Sequence, residues 1–146
     1  MIDAKGGGIL EQNLCLESVH LDDDVKELSE QIIAWRRHFH THPEPSLKEY
    51  KTSAFIKNLL KEGNVPFVEV EETGILAELK GTQGEGKTIF LRADMDALEM
   101  PDKTGSPYCS QEEGLNHSCG HDGHAAALLG AVKILKDREF KGTVKF

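Results

Sequence analysis

The chain has 146 residues, of which 38% are hydrophobic and 29% are charged, a composition typical of a soluble globular protein. Its formal net charge is −8. Without a lysine- and arginine-rich patch, such a chain is not expected to bind nucleic acid or an anionic membrane surface. No apolar stretch approaches the roughly 20 residues needed to cross a bilayer. Because the N-terminus also lacks the features of a secretory signal, we expect a cytoplasmic protein.

The N-terminal part of the chain divides into an extension and a helix. Residues 1–21 show no periodicity and contain three consecutive glycines, which predicts a loose N-terminal extension. Three aspartates at positions 22–24 then provide an N-cap and an acidic first turn. The apolar residues that follow are spaced as one face of an amphipathic helix, namely Val25, Leu28, Ile32, Trp35 and Phe39.

A second helix is predicted after the His42-Pro43-Glu44-Pro45 break. Ser46 and Glu49 have the spacing of a capping box, which would start this helix. Its apolar face would comprise Leu47, Tyr50, Ala54 and Leu59, with Ile56 and Leu60 beside it. Gly63 and Asn64 would end it.

The remaining elements alternate strands with one helix. Strand-like runs occupy residues 66–70, 75–79, 88–91 and 143–146, and an apolar run at residues 125–135 predicts a helix. The continuous apolar run at 88–91 suits a strand that is buried on both faces. This order predicts an α/β domain with a mixed central sheet and flanking helices.

Residues 117–124, with the sequence HSCGHDGH, are the strongest chemical signal in the chain. They place three histidines, one cysteine and one aspartate immediately before the predicted helix. Thiolate and imidazole are ligands that zinc-like ions favour, and a helix N-terminus tolerates negative charge. The alternative is a small glycine turn with solvated histidines. Cys15, Cys109 and Cys119 are an odd, scattered set that does not resemble a disulfide framework, which suits Cys119 as a thiolate.

Asp94 and Asp96 form a second candidate constellation directly after the predicted strand at 88–91. The carboxyl ends of strands are where open α/β sheets handle ligands. One of these carboxylates could orient a histidine ligand or bind a metal itself. The alternative is a pair of solvated aspartates in a turn.

These segments together resemble a known family. Residues 91–98, LRADMDAL, and residues 117–124 are similar to signatures of the metal-dependent N-acyl-amino-acid amidohydrolases, such as hippurate hydrolases, indole-acetyl-amino-acid hydrolases and aminoacylase-like di-metal peptidases. Residues 35–44 and 142–146 resemble two further family segments. The resemblance implies that residues 22–146 are the N-terminal portion of a di-zinc-peptidase-like catalytic domain. The family's dimerisation domain and C-terminal half would be absent from this sequence.

The resemblance also implies roles for individual residues. Cys119 and His121 would be metal ligands, and Asp96 would orient the metal site and assist catalysis. Asp94 takes the position of a metal-binding histidine in the wider group, so its role stays open, as do those of His117 and His124. The histidines at 38, 40 and 42 belong to the family's N-terminal segment, where we expect capping and packing.

The implied function is metal-dependent hydrolysis of the amide bond of N-acyl amino acids or short peptides. Two divalent ions (zinc, manganese or cobalt) would serve as cofactors, a small N-acyl amino acid or peptide would be the substrate, and the complete enzyme would be a homodimer. Family members carry a glutamate base and further ligands after the segment matched here. We therefore expect little or no hydrolysis by the 146-residue chain alone, and an inert metal-binding fragment is the alternative. A structural zinc module would need four closed ligands, and only one cluster is visible.

Overall fold

The computed structural model describes residues 22–146, and the predicted extension at residues 1–21 lies outside them. The helices are α1 (Asp23–Thr41), α2 (Tyr50–Glu62) and α3 (His121–Leu135). The strands are β1 (Phe67–Val70), β2 (Gly74–Lys80), β3 (Thr88–Phe90) and β4 (Thr143–Lys145). None of these three helices is long and apolar enough to cross a membrane.

The four strands form one mixed sheet in the order β1-β2-β4-β3. β1 and β2 form an antiparallel hairpin in which Phe67 pairs with Ala77. β4 runs antiparallel to β2 and parallel to β3, with Val144 paired to Ile89 on the β3 side. The α/β class with a mixed central sheet is therefore confirmed. This order brings the end of β3 towards α3, which precedes β4 in the chain.

The hydrophobic core lies between the sheet and the helices. α1 buries Leu28, Trp35 and Phe39 as its spacing predicts. α3 contributes Ala125, Ala126, Leu129 and Val132, which pack with Val144 and Phe146 from the β4 segment. α1 and α3 approach closely, since a Cβ on Gly130 would lie 2.7 Å from Cδ1 of Ile32. α3 is therefore positioned by both the sheet and α1.

The predicted apolar face of α2 is wrong. Leu47 precedes the helix with a positive φ of 64° and is 80% exposed, and Tyr50 is 51% exposed. The buried residues of α2 are Thr52, Ser53, Ile56 and Leu60. The predicted face was counted from Leu47 as a helical residue. The helix begins only at Tyr50, so Leu47 cannot define the phase of its buried face.

The predicted capping box of α2 is also wrong. Glu49 is the N-cap residue, and its side chain makes no capping hydrogen bond. Its carboxylate instead accepts hydrogen bonds from the amide of Leu47, at 3.0 Å, and the hydroxyl of Thr73, at 2.9 Å. The carboxylate of Glu44 receives the free amides of the first turn, from Lys51 at 3.0 Å and Thr52 at 2.8 Å. Glu44 therefore caps α2 from outside the helix.

The prediction that the strand at 88–91 is buried on both faces is wrong for this chain. Ile89 is 54% exposed and Phe90 is 62% exposed. The physical reason is position, because β3 pairs only with β4 and forms an edge of the sheet. A continuous apolar run predicts burial only where other elements cover both faces of the strand.

We expect Glu44→Ala to lower the free energy of unfolding by about 1–2 kcal/mol, because it leaves first-turn amides of α2 without an acceptor. Ser46→Ala should change it by less than about 0.5 kcal/mol, since Ser46 is exposed. Urea unfolding followed by circular dichroism measures both values. Equal losses of unfolding free energy in the two variants would instead support the predicted Ser46–Glu49 capping box.

Candidate metal centre

The histidine- and cysteine-rich segment meets α3 at its first turn. His121 is the first residue of α3, and Gly120 is its N-cap with a left-handed φ of 84°. The chain turns sharply there, between Cys119 and His121. The amide of His124 donates to the carbonyl of Gly120 at 3.1 Å. The prediction that the segment enters a helix N-terminus is confirmed.

The side chain of His121 is held by Asp96. Its Nδ1 atom lies 2.9 Å from the carbonyl oxygen and 3.0 Å from the Oδ1 atom of Asp96. Both oxygens are acceptors, so Nδ1 must carry the hydrogen. In the neutral ring, Nε2 then keeps its lone pair and is free to bind a metal. Metal-binding histidines commonly donate their other nitrogen to a carboxylate or carbonyl oxygen in this way.

Asp94 and His124 lie beside this pair. Oδ1 of Asp94 is 3.4 Å from Nδ1 of His124. One ligand atom each from Asp94, His121 and His124 all lie within 4.8 Å of one another. Ligand atoms that share one ion at about 2 Å are themselves roughly 3–4 Å apart. Two imidazoles and a carboxylate are also a donor set that zinc, manganese and cobalt accept, so these residues fit a divalent ion.

The charge state of Asp94 suits such a site. Partial burial opposes its ionisation, but a hydrogen bond from its own backbone and the nearby His121, His124 and Arg92 outweigh that effect. The pKa of Asp94 therefore lies below its usual value. At neutral pH this carboxylate is therefore ionised, as a metal-binding carboxylate must be.

The other predicted site residues have different positions. Cys119 is an exposed free thiol one residue before the N-cap of α3, and it is not part of the three-residue group. His117 is 4% exposed, and burial, with smaller contributions from His40 and His121, lowers its pKa. The exposed side chain of His38 stacks on Phe55, and Nδ1 of His42 contacts the carbonyl of His38 at 2.9 Å. The packing predicted for His38 and the capping position predicted for His42, the C-cap residue of α1, are confirmed.

Sequence reasoning left His124 unassigned, although a signal was available. Residues three apart on a helix lie on the same face, so a helix that begins at His121 must bring His124 to the same side. Two aspartates then meet two histidines, Asp96 with His121 and Asp94 with His124. The predicted convergence of the two segments is thus present in the structure.

The loop between β3 and α3 is fixed by Asp102. Its carboxylate accepts hydrogen bonds from the amides of Thr104, at 2.8 Å, and Ser110, at 2.9 Å. These two backbone hydrogen bonds lower the pKa of Asp102 to about 2. A short antiparallel bridge between Leu98 and Asn116 closes the same loop. The segment leading into the histidine cluster is therefore anchored.

Comparison with known proteins identifies the segment that carries this centre. A model of peptidase family M20/M25/M40 matches residues 90–146. This match includes both aspartates and the whole histidine- and cysteine-rich segment. The predicted resemblance to metal-dependent amidohydrolases is confirmed.

Curated sequences and solved structures match most of the chain. It is 45% identical over 125 residues to an N-acetyl-L-cysteine deacetylase of Bacillus subtilis, with 84% of this chain and 30% of the relative covered. An N-acyl-L-amino acid amidohydrolase of Geobacillus stearothermophilus is 40% identical, with coverage of 84% and 34%. A solved structure described as a dinuclear metal-binding M20 peptidase of Bacillus subtilis matches with a TM-score of 0.78 and 38% identity, covering 83% of this chain and 35% of that one. The chain thus spans about a third of the length of these relatives.

We expect the depressed pKa of Asp102 to make stability depend on pH in a defined window. The unfolded carboxyl titrates near 3.8 and the folded one near 2, so the stabilisation is complete above about pH 5 and is lost as the pH falls towards 2. Asp102→Asn should therefore be less stable than the parent near pH 6, and the difference should shrink in acid. Urea unfolding at several pH values tests this, with the exposed Asp137→Asn as control. A pH-independent difference would contradict the prediction.

Proposed function

We propose that residues 22–146 form the N-terminal portion of the catalytic domain of a metal-dependent amidohydrolase. The observation that carries this proposal is the hydrogen-bonded pair of Asp96 and His121 beside Asp94 and His124. This arrangement presents a histidine with one nitrogen committed to a carboxylate and the other available to a metal. The match of the peptidase family model to residues 90–146, which include these four residues, supports the same proposal.

His121 and Cys119 are the proposed metal ligands. The two residues flank Gly120, which reverses the chain and places both at the start of α3. The neighbouring Asp94 and His124 add a carboxylate and a second imidazole to the donor set. A divalent ion bound there would supply Lewis-acid polarisation of an amide carbonyl and would lower the pKa of a bound water. Zinc, manganese and cobalt all suit these donors.

Asp96 is the proposed catalytic residue of this segment. Its carboxylate accepts the Nδ1–H of His121, which fixes the tautomer and the orientation of that ring. The negative charge on Asp96 also makes the ring a better electron donor through Nε2. The carboxylate is partly exposed, with 29% of its side-chain surface accessible. It can therefore act at the site without belonging to the core.

The proposed substrate is a small N-acyl amino acid or short peptide, and the bond cleaved is its amide. Relatives described as an N-acetyl-L-cysteine deacetylase and an N-acyl-L-amino acid amidohydrolase support this class. A relative described as dinuclear supports a site for two ions. A cytoplasmic location and a homodimeric complete enzyme are part of the same proposal.

We expect the double variant Cys119→Ser/His121→Ala to lose most of its bound divalent metal at neutral pH. Loss of two direct ligands should lower metal affinity by more than the roughly 10–100-fold that is typical when a residue hydrogen-bonded to a ligand is removed. The parent's affinity should weaken on acidification because the ligands must be deprotonated. Metal content after dialysis measures the effect, and Cys109→Ser/His38→Ala is a matched control. Parental metal content in the double variant would rule out these ligands.

We expect Asp96→Asn, introduced into a polypeptide extended to the length of the relatives, to lower turnover of N-acetyl amino acids by about 10–100-fold. The fold should persist because Asp96 supports His121 and not the core. Initial rates with saturating zinc, manganese or cobalt measure the loss. Turnover close to that of the parent would instead support the alternative that Asp96 is a solvated aspartate in a turn.

We expect the 146-residue chain alone to hydrolyse N-acetyl amino acids and hippurate at least about 10²–10⁴-fold more slowly than the extended polypeptide. That range is the typical loss on removing a general base, and the family's glutamate base lies after the matched segment. Parallel assays with each metal measure the ratio. Robust metal-dependent turnover by the short chain would contradict the prediction, whereas metal binding without turnover fits the inert-fragment alternative.

A further inference from the structure

Asp122 is a buried carboxylate at the start of α3 that the proposed chemistry does not use. Its side chain is 1% exposed, although it immediately follows His121. Successive residues of an α-helix point about 100° apart. His121 therefore contacts Asp96 while Asp122 turns to α1. A buried carboxylate is costly unless it is paired and hydrogen-bonded, so its partners must matter.

Two side chains of α1 converge on a single oxygen of Asp122. Nδ1 of His40 lies 2.8 Å from Oδ2, and Nε of Arg36 donates to the same oxygen at 3.3 Å. His40 is itself buried, with 8% of its side chain exposed, whereas half of the Arg36 side chain is exposed. Arg36 and His40 are four residues apart and share one face of the helix. The charged contact therefore links the last two turns of α1 to the first turn of α3.

Neither the N-cap of α3 nor its apolar contact with α1 fixes the first turn in this way. Gly120 provides no side-chain cap. The close apolar approach of α1 lies at Gly130, nine residues after His121 and about 13 Å along the helix. Apolar packing is non-directional, whereas a buried hydrogen bond fixes distance and angle. At this end of α3, the Asp96–His121 hydrogen bonds orient one ring, whereas the His40–Asp122 contact is directional and joins the first turn to α1.

We propose that His40 is a positioning residue for the metal centre. Through Asp122 it fixes the rotation of the first turn of α3, and thereby the direction in which Nε2 of His121 faces. This inference rests on the proposed function, since it requires a metal at His121. It assigns no contact between His40 and the metal or the substrate.

His40 has a second contact, and substitutions that keep one contact and remove the other can distinguish positioning of the metal centre from a general role in folding. Its Nε2 atom lies 3.3 Å from Oδ2 of Asp102, a close polar contact and not an aligned hydrogen bond. That contact ties α1 to the loop before α3. The amide nitrogen of asparagine can take the place of Nδ1, and that of glutamine the place of Nε2. His40→Asn therefore preserves the Asp122 contact, and His40→Gln preserves the Asp102 contact.

The test compares the divalent-metal affinity of the full chain and its variants, by Co²⁺ titration and by Zn²⁺ competition. His40→Gln should weaken affinity by about tenfold, in the range of outer-partner losses. His40→Asn should stay within about twofold of the parent. His38→Asn is the matched control, because it removes an exposed imidazole of the same helix without touching α3. Urea unfolding without metal measures the stability of each variant.

Equal affinity losses in His40→Asn and His40→Gln, tracking their stability, would reduce His40 to a structural role and overturn the proposal. Parental affinity in His40→Gln would also overturn it. If His40→Gln does not fold, Arg36→Gln decides. Since Arg36 is half-exposed and donates to the same oxygen, its loss should weaken affinity by a smaller factor, and no change overturns the proposal. His121→Ala separates failure of the positioning role from failure of the proposed metal site. If His121→Ala leaves metal binding unchanged, the proposed metal site itself is wrong.

Discussion

The candidate site depends on one contact, the pair of hydrogen-bond acceptors that Asp96 presents to Nδ1 of His121. It joins two segments 25 residues apart in the chain. It also decides which nitrogen of the histidine is left to bind a metal. Without it, the ring at the start of α3 could rotate, and its two nitrogens would be equivalent candidates. The contact therefore fixes the orientation of the proposed metal ligand, His121.

The sheet and the helices hold the Asp96–His121 contact in place. Parallel pairing of β3 with β4 fixes where the chain leaves β3 towards Asp94 and Asp96. α3 precedes β4 in the chain and packs on it through Leu129, Val132 and Val144. Asp122 then ties the first turn of α3 to α1 by a buried charged contact. The side of α3 that carries the proposed metal site can therefore remain polar, while its opposite side packs in the core.

Part of this arrangement could be predicted from the sequence, for physical reasons. The apolar periodicity of α1 runs from Val25 to Phe39, about four turns, which is long enough to define its buried face. The cluster at 117–124 contains its own turn and lies before an apolar run, so its place at a helix N-terminus followed. The pairing of the aspartates with the histidines was expected only in outline, because it depends on how β3 and α3 pack. Spacing on α3 could have indicated His124.

The errors have physical causes too. The start of α2 was misplaced because its cap comes from Glu44, outside the helix, and the short-range Ser46 and Glu49 pattern gave the wrong phase. Burial of β3 was overestimated because an apolar run reports what a strand can tolerate and not what covers it. The contact of His40 with Asp122 joins residues 82 apart in the chain. Such a long-range polar contact leaves no periodic trace in the sequence.

The most direct test of this account is anomalous diffraction at the zinc absorption edge from crystals grown with zinc. The account predicts a peak about 2.0–2.1 Å from Nε2 of His121, with Nδ1 still bound to Asp96. The thiolate of Cys119 or the Asp94 and His124 pair should complete the coordination. A peak at Nδ1 of His121, or zinc bound elsewhere in residues 22–146 with His121 free, would contradict it.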